Sequence, residues 1–157
     1  MSEPNAASAQ TLVTMQVAEQ PFGIWVESVR DVLGGQNISR VPLSPPAIAG
    51  SLNLRGRIVT VLDVRVLLGM QGTEQPEKAM NVVIEHQGEL YSLLVDQVGD
   101  VLTVDHHKIE GVPQTVTPAW KSVSSGIVKL KDELVLILVT ETLLQIAGLT
   151  TAEELAA

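Results

Sequence analysis

Residues 50–68 read GSLNLRGRIVTVLDVRVLL, and this stretch decides the fold predicted for the rest of the chain. It begins at a glycine, passes through the turn residues Asn53-Leu54-Arg55-Gly56 and continues into an apolar run at 58–62. A short apolar run bounded by turn residues is typical of a buried strand. The stretch therefore predicts a turn with basic side chains that leads into a core strand.

The same pattern occurs a second time in the chain. Residues 126–144, GIVKLKDELVLILVTETLL, align with 50–68 without a gap, and residues 95–102 align with 26–33. The offset grows from 69 to 76 residues, which a longer loop around 105–115 would absorb. Repeated supersecondary units leave this signature, so the sequence predicts two homologous β units of about five short strands each.

The predicted fold is mainly β, with two small pseudo-symmetric barrels, short connecting helices and a C-terminal helix. Short apolar strands need closed sheets to hide their edges, which favours barrels over one open sheet. Each barrel alone would be marginal in size, so the two are expected to share an aliphatic core. The predicted division is a flexible tail at 1–10, a first barrel at 11–78, a second barrel at 79–147, and a tail or short helix at 148–157. Exchange of strands between the barrels is left open.

Individual elements follow from local patterns. Weak alternation or apolar runs predict strands, and the residues 86–89, HQGE, signal a hairpin turn. Prolines after a capping residue predict short helices at 44–49 and from residue 118. Strands are predicted at 11–17, 22–26, 58–62, 80–85 and 90–95, with two more within 126–139, and a helix is predicted at 140–147.

Composition excludes several classes of protein. The net charge of −8 argues against general binding to nucleic acid or anionic membranes, which rewards basic surfaces. No cysteine is present, and no apolar run approaches the roughly 18 residues of a membrane span. A soluble cytosolic protein is expected. All five arginines lie between Arg30 and Arg65, which indicates either one electropositive face for an acidic partner or scattered solvated charge.

Signatures of catalysis and metal binding are missing from the sequence. It contains no P-loop, GxGxxG, GxSxG or HExxH motif. The histidines are His86, His106 and His107, and two adjacent histidines in an extended segment would point to opposite faces. No enzyme activity, cofactor or metal site is therefore predicted.

Other polar and aromatic residues are interpreted as structural. Asp63, Asp96 and Asp100 follow or interrupt apolar strands, where a carboxylate accepts hydrogen bonds from nearby backbone amides. Trp25 and Trp120 are interpreted as anchors of a core or an interface.

The basic turn is the main candidate for binding. Arg55 and Arg57 flank Gly56, and a rigid turn can present a guanidinium for bidentate pairing with a carboxylate. Asp31 is a candidate internal partner or a second contact residue. The alternative interpretation is an ordinary polar hairpin tip, although loops on a rigid scaffold often carry function.

These segments, taken in order, resemble the CheW-like family of bacterial chemotaxis coupling proteins. The matching segments are FGIWVESVRDVL, SRVPLSPPAIAGSLNLRGRIVTVLDVRVLLG, LVDQVGDVL and GIVKLKDELVLILVTETLL, within residues 11–147. The resemblance implies two SH3-like five-stranded β-barrels in pseudo-symmetric contact. It also implies a non-catalytic adaptor that joins the cytoplasmic tips of chemoreceptors to the regulatory domain of a CheA-type histidine kinase.

The resemblance also implies a receptor-binding set. The helical hairpin of a receptor would lie in the hydrophobic groove between the barrels, by helix-in-groove recognition. The family commonly has Glu where this chain has Asp31. Kinase contacts would use apolar barrel-end surfaces of both halves, without particular residues. The implied receptor-binding residues are Val29, Asp31, Gly50, Asn53, Leu54, Arg55 and Gly56.

Two alternatives remain at this point. The same fold could serve a non-flagellar chemosensory pathway, such as surface motility or gene regulation, because sequence does not separate these roles. A small-ligand-binding β-barrel would need a convergent set of polar side chains, which the sequence does not show.

Overall fold

The computed structural model describes residues 9–148, and the structural statements that follow refer to them. Most of the predicted tail at 1–10 and of the predicted C-terminal segment at 148–157 therefore lies outside the described residues. Ala9 and Gln10, which were assigned to the tail, begin the first strand.

The described part of the chain is mainly β, as predicted. The strands are rich in Val, Ile and Leu, whose shapes suit a half-buried or fully buried pleated surface. Short 3-10 turns occupy 26–28, 76–78 and 106–108. The elements in order are β1 (Ala9–Val17), β2 (Gln20–Trp25), β3 (Val29–Leu33), β4 (Ile48–Leu54), β5 (Arg57–Asp63), α1 (Val64–Leu67), β6 (Met80–His86), β7 (Glu89–Val95), β8 (Gln97–Asp105), β9 (Ile109–Glu110), α2 (Pro118–Val123), β10 (Ser124–Lys129), β11 (Leu134–Leu138) and α3 (Thr140–Ile146).

The strands form two sheets that exchange hairpins. One sheet has the order β3-β6-β7-β5-β4, and the other has the order β8-β1-β2-β11-β10-β9. The β1–β2 hairpin thus pairs with strands from the C-terminal half, and the β6–β7 hairpin pairs with strands from the N-terminal half. Each sheet therefore contains strands from both sides of residue 78. The division into subdomains at 78/79 and the closure of each sheet into an SH3-like barrel stay predictions.

The internal repeat is present in the strand register. Ile48 pairs with Leu62, and a bulge follows before Gly50; 76 residues later Ser124 pairs with Leu138, and a bulge follows before Gly126. The parallel strand pairs repeat as well. The pair of β5 with β7 in one sheet corresponds to the pair of β11 with β2 in the other. The two sheets are therefore built on one pattern, and the predicted repeat of β units is confirmed.

The predicted helix at 44–49 is wrong, whereas the helix predicted from residue 118 is confirmed as α2. Ser39 forms a bridge to Ser51, so only residues 40–47 connect it to β4. This segment makes turns with Leu43 at φ +60°, and β4 begins at Ile48. In the second unit the connection from β9 to β10 spans 111–123, which leaves room for a helix.

The two sheets share a central aliphatic core, as predicted. It contains Val13 and Phe22 from one sheet and Val82 and Leu93 from the other, all nearly inaccessible to solvent. Two smaller clusters each lie within one sheet, and the repeat relates their members. The equivalent pairs are Leu52 and Val128, Val59 and Val135, and Val61 and Ile137.

An ion pair connects the two sheets at the surface. Arg65 of α1 donates hydrogen bonds of 3.1 and 2.6 Å to both carboxylate oxygens of Asp96, which lies between β7 and β8. The backbone N–H of Ala18, in the β1–β2 turn, donates to the same carboxylate at 2.8 Å. Burial of Asp96 disfavours its charge, but the hydrogen bonds from Arg65 and Ala18 outweigh this effect and lower the pKa of Asp96. The bond to Asp96 raises the pKa of Arg65.

Replacing Gly50 by alanine should destabilise the fold. Gly50 has φ +152°, and a Cβ there would lie 2.2 Å from the carbonyl oxygen of Ser39. Because that neighbour is backbone, we expect Gly50→Ala to lower the free energy of unfolding by about 2–3 kcal/mol, measured by urea denaturation. Gly34→Ala is the control, since a Cβ there meets no atom within 4 Å. An unchanged urea midpoint for Gly50→Ala would contradict this account.

Asp96→Asn should reduce stability in a pH-dependent way. We expect a loss of about 1–2 kcal/mol at neutral pH, because the paired carboxylate is partly buried. Since folding lowers the pKa of Asp96, its contribution is full above the unfolded-state value of 3.8 and is lost as pH falls through the lower folded value.

The difference between wild type and Asp96→Asn should therefore shrink below about pH 4 in urea denaturation. Asp100→Asn is the matched control, because Asp100 is exposed on the neighbouring strand. A difference that is the same at neutral and acid pH would refute the role given to the carboxylate.

Candidate functional site

The basic turn is a tight two-residue connection between β4 and β5. Arg55 and Gly56 occupy its centre with φ of +52° and +85°, and Leu54 pairs with Arg57 across it. Positive φ at both central residues is the type I′ geometry that matches the twist of paired strands. The side chain of Asn53 accepts a 2.9 Å hydrogen bond from the N–H of Gly56 and closes the turn.

Arg55 is in an unusual conformation for its residue type. A residue with a Cβ in the left-handed region stores roughly 1 kcal/mol of strain, which glycine or asparagine largely avoids. The side chain of Arg55 is nevertheless 78% exposed, so it adds little packing in return. The turn therefore fixes the backbone of Arg55 and leaves its guanidinium in solvent.

Asp31 of β3 is the internal partner of this guanidinium. Its Oδ2 lies 3.4 Å from Nη2 of Arg55, and its Oδ1 accepts a 2.9 Å bond from the N–H of Val32. The side chain of Asp31 is 28% exposed, so the carboxylate is held more firmly than the arginine. An exposed pair of this kind contributes at most about 1 kcal/mol to stability. Its main effect is to orient Arg55.

Asp31, Leu54 and Arg55 line one shallow groove at the end of the five-stranded sheet, with a volume of about 270 Å³. We call it the basic groove. All its lining residues lie in strands of that sheet or in the turn between β4 and β5. The position of a receptor between two barrels stays a prediction. The residues that line the basic groove are Arg30, Asp31, Leu54, Arg55, Arg57, Val83, Glu85 and Leu90.

Two of the predicted residues do not line this groove. Val29 is half-buried and packs against the central core. Gly50 is buried at the other end of β4, where it permits the close approach of Ser39. Asn53 and Gly56 shape the turn beside the groove. The predicted set thus divides into residues that face the groove or shape its turn and residues that hold the sheet together.

Sequence reasoning missed two charged residues of the groove, Arg30 and Glu85, and it named Arg57 as part of the basic turn. Arg30 donates a 2.7 Å bond to Glu85 of β6, and Arg57 donates a 3.1 Å bond to the carbonyl of Gly88. Arg30 and Asp31 are neighbours in β3, and regular strand alternation would place them on opposite faces. A bulge in β3 sets Val29 opposite Ile84 and Asp31 opposite Val83, and such a bulge can re-aim a side chain. The sequence signal that could have indicated Arg30 is the concentration of all five arginines between Arg30 and Arg65.

Asp63 and Asp96 accept hydrogen bonds from backbone amides, as predicted, whereas none to the carboxylate of Asp100 is found among residues 9–148. Asp63 accepts hydrogen bonds from the N–H of Arg65 and from the N–H and hydroxyl of Thr73, so it fixes the chain after β5. Trp120 is buried and contacts Phe22 edge to face with ring centroids 5.7 Å apart.

Trp25 contacts one of the three histidines. The ring of Trp25 stacks on that of His106 with centroids 5.8 Å apart, and Trp25 also packs against the cluster within the six-stranded sheet. His106 and His107 lie in a 3-10 turn rather than in a strand. Residues 9–148 contain no group of three or more His, Cys, Asp and Glu side chains arranged to hold a metal ion.

None of the helices in the described residues is long and apolar enough to span a membrane. The helices α1 to α3 are four to seven residues long. They contribute buried side chains to the central core.

Known proteins of similar sequence are chemotaxis proteins. The chain is 26% identical over 132 residues to a probable chemotaxis protein CheW from Rhizobium etli, covering 84% of this chain and 85% of that protein. It is 28% identical over 131 residues to the chemotaxis protein CheW of Bacillus subtilis, covering 83% of this chain and 84% of that protein.

A solved structure with the same fold is the scaffolding protein TtCheW from Thermoanaerobacter tengcongensis. It superimposes with a TM-score of 0.74 and is 28% identical, covering 83% of this chain and 88% of that chain. A family model described as the CheW-like domain matches residues 11–148. That match spans both sheets, so this chain belongs to the CheW-like domain family.

Proposed function

We propose that this chain is a non-catalytic adaptor that couples the cytoplasmic tips of chemoreceptors to a CheA-type histidine kinase. One observation carries the proposal. In a chain of the CheW-like family, the Asp31–Arg55 pair lies beside a rigid turn and faces an open groove. The protein would act in the cytoplasm, beneath membrane receptor arrays that it reaches through its partners.

Receptor recognition rests on the basic groove and its turn. Leu54 and Leu90 supply apolar surface for a helix, and Arg55 supplies a guanidinium for a carboxylate on that helix. A charge at the rim of an interface contributes to orientation and specificity more than to affinity. Because Asp31 lies 3.4 Å from Arg55, the two side chains would meet a receptor together at the edge of the groove.

Control of the kinase would be geometric. The adaptor contributes a rigid body that holds receptor and kinase in a fixed relation, and no covalent step occurs on it. Support comes from the rigid type I′ turn and from the shared core that fixes the two sheets to each other. The scaffolding role stated for the similar Thermoanaerobacter protein agrees with this proposal. Kinase-contacting residues are not assigned.

Arg55→Glu should weaken receptor binding without unfolding the protein. The substitution places a carboxylate beside Asp31 and removes the guanidinium, so we expect about a tenfold or greater loss of affinity for a receptor fragment. Pull-down or calorimetry with a soluble fragment of the receptor tip measures the loss. Circular dichroism and the urea midpoint report the fold.

Lys131→Glu is the matched control, because the repeat places Lys131 where the first unit has Arg55. This variant makes the same change of charge at the equivalent turn of the other sheet. Receptor affinity that is unchanged in Arg55→Glu, or lost equally in both variants, would argue against the basic groove as the receptor site.

Reconstitution tests the adaptor role itself. A receptor fragment, a CheA-type kinase and this protein are combined, and kinase autophosphorylation is measured with and without the adaptor. We expect a ternary complex and a several-fold change in autophosphorylation only when all three are present. Absence of both the complex and the change would overturn the proposal.

A further inference from the structure

Three arginines line the basic groove, and each is hydrogen-bonded to a different part of the five-stranded sheet. Arg30 of β3 donates a 2.7 Å bond to Glu85 of β6. Arg57 of β5 donates a 3.1 Å bond to the carbonyl of Gly88, in the turn between β6 and β7. The third is Arg55, which pairs with a carboxylate of β3. A guanidinium has five N–H donors, so one such bond leaves donors for a ligand.

The groups that accept these bonds differ in charge. Arg30 pairs with the carboxylate of Glu85, and Arg55 pairs with that of Asp31. Arg57 is bonded to a carbonyl, which has no net charge, and no ion pair of Arg57 with a carboxylate is found among residues 9–148. Three arginines and two carboxylates line the groove, so its excess positive charge lies at Arg57.

A carboxylate of a ligand would meet a different environment at each arginine. Beside Arg30 or Arg55 it would also approach the carboxylate that is already paired there, and like charges at short range repel. Beside Arg57 the bonded acceptor is a neutral carbonyl, so the attraction is not offset in this way. A guanidinium can also form a bidentate pair with a carboxylate. Arg57 is therefore the most favourable of the three positions for an anionic group.

The remaining lining of the basic groove is apolar and consists of Leu54, Val83 and Leu90. Leu54 pairs with Arg57 across the turn, so apolar surface lies beside the excess charge. The groove has a volume of about 270 Å³, which admits a few side chains rather than a whole helix. A helix that lies across it can insert an apolar side chain and, three or four positions along the same face, a carboxylate.

We propose that Arg57 is the specificity-determining residue of the basic groove, which selects a helix that presents a carboxylate beside an apolar residue on one face. The proposal rests on the proposed receptor function, in which a receptor helix occupies this groove. The pair with Arg57 separates acidic helices from neutral ones, because there the charge of the helix balances an excess charge of the adaptor. Arg55 also meets the helix, but its charge is already balanced by Asp31.

Double-mutant cycles between the full chain and a soluble fragment of a chemoreceptor tip test the proposal. The affinity of Arg57→Gln is measured by calorimetry for the unchanged fragment and for fragments in which each Asp or Glu is replaced in turn by Asn or Gln. We expect Arg57→Gln to bind the unchanged fragment about fivefold to tenfold more weakly than the wild type does. One fragment substitution should remove this difference, and it identifies the carboxylate that pairs with Arg57.

Three other arginines provide matched variants with the same change of side chain. Arg30→Gln and Arg55→Gln lie within the groove, whereas Arg40→Gln is an exposed control outside it. Coupling with a fragment carboxylate should be largest for Arg57, smaller for the two paired arginines and absent for Arg40. Arg57→Glu should lose affinity for the unchanged fragment and regain it for a fragment with lysine at the identified position. Circular dichroism confirms that each variant is folded.

Two results would overturn the role given to Arg57. They are coupling no larger for Arg57→Gln than for Arg40→Gln, and a largest coupling at Arg30 or Arg55. In either case, a fragment that binds the wild type and is lost in Arg55→Glu still supports the proposed receptor function, so the inference can fail alone. A wild type that binds no receptor fragment would overturn the receptor function and this inference together.

Discussion

The reciprocal exchange of hairpins around one central core is the constraint on which the structure depends. The β1–β2 hairpin completes the sheet of the C-terminal strands, and β6–β7 completes the sheet of the N-terminal strands. Side chains such as Phe22 and Leu93 then bury in one common cluster. Neither sheet has its full set of strands without a segment from the other half of the chain. The two sheets are therefore held in a fixed relation to each other.

The two units share the features that determine packing and differ at their hairpin tips. The bulges before Gly50 and Gly126 and the clusters within each sheet repeat because they determine packing. The hairpin tips differ. Arg55-Gly56 has two positive φ values, whereas the equivalent Lys131-Asp132 has none. Differences in tip geometry and charge change what each end can bind without disturbing the shared core.

The strain at Arg55 makes physical sense in this setting. A glycine would fit the turn at lower energy, so Arg55 costs the fold roughly 1 kcal/mol. The consequence of placing arginine there is an exposed guanidinium beside Asp31. The ion pair of Arg65 with Asp96 contrasts with it, because that pair is half-buried, bidentate and connects two sheets. Arg55 exposes its charge to solvent, whereas Arg65 stabilises the fold.

The sequence by itself determined the β class, the repeat, the hairpin turns and the basic tip as a candidate site. Each depends on local pattern or on spacing along the chain, which the printed residues carry. Only the tertiary structure decided which strands share a sheet, because pairing across distant segments depends on packing. It also placed Arg30 in the basic groove, since a bulge overrides strand alternation. The absence of a helix at 44–49 was decided in the same way, because the Ser39–Ser51 bridge shortens the connection that local propensity favoured.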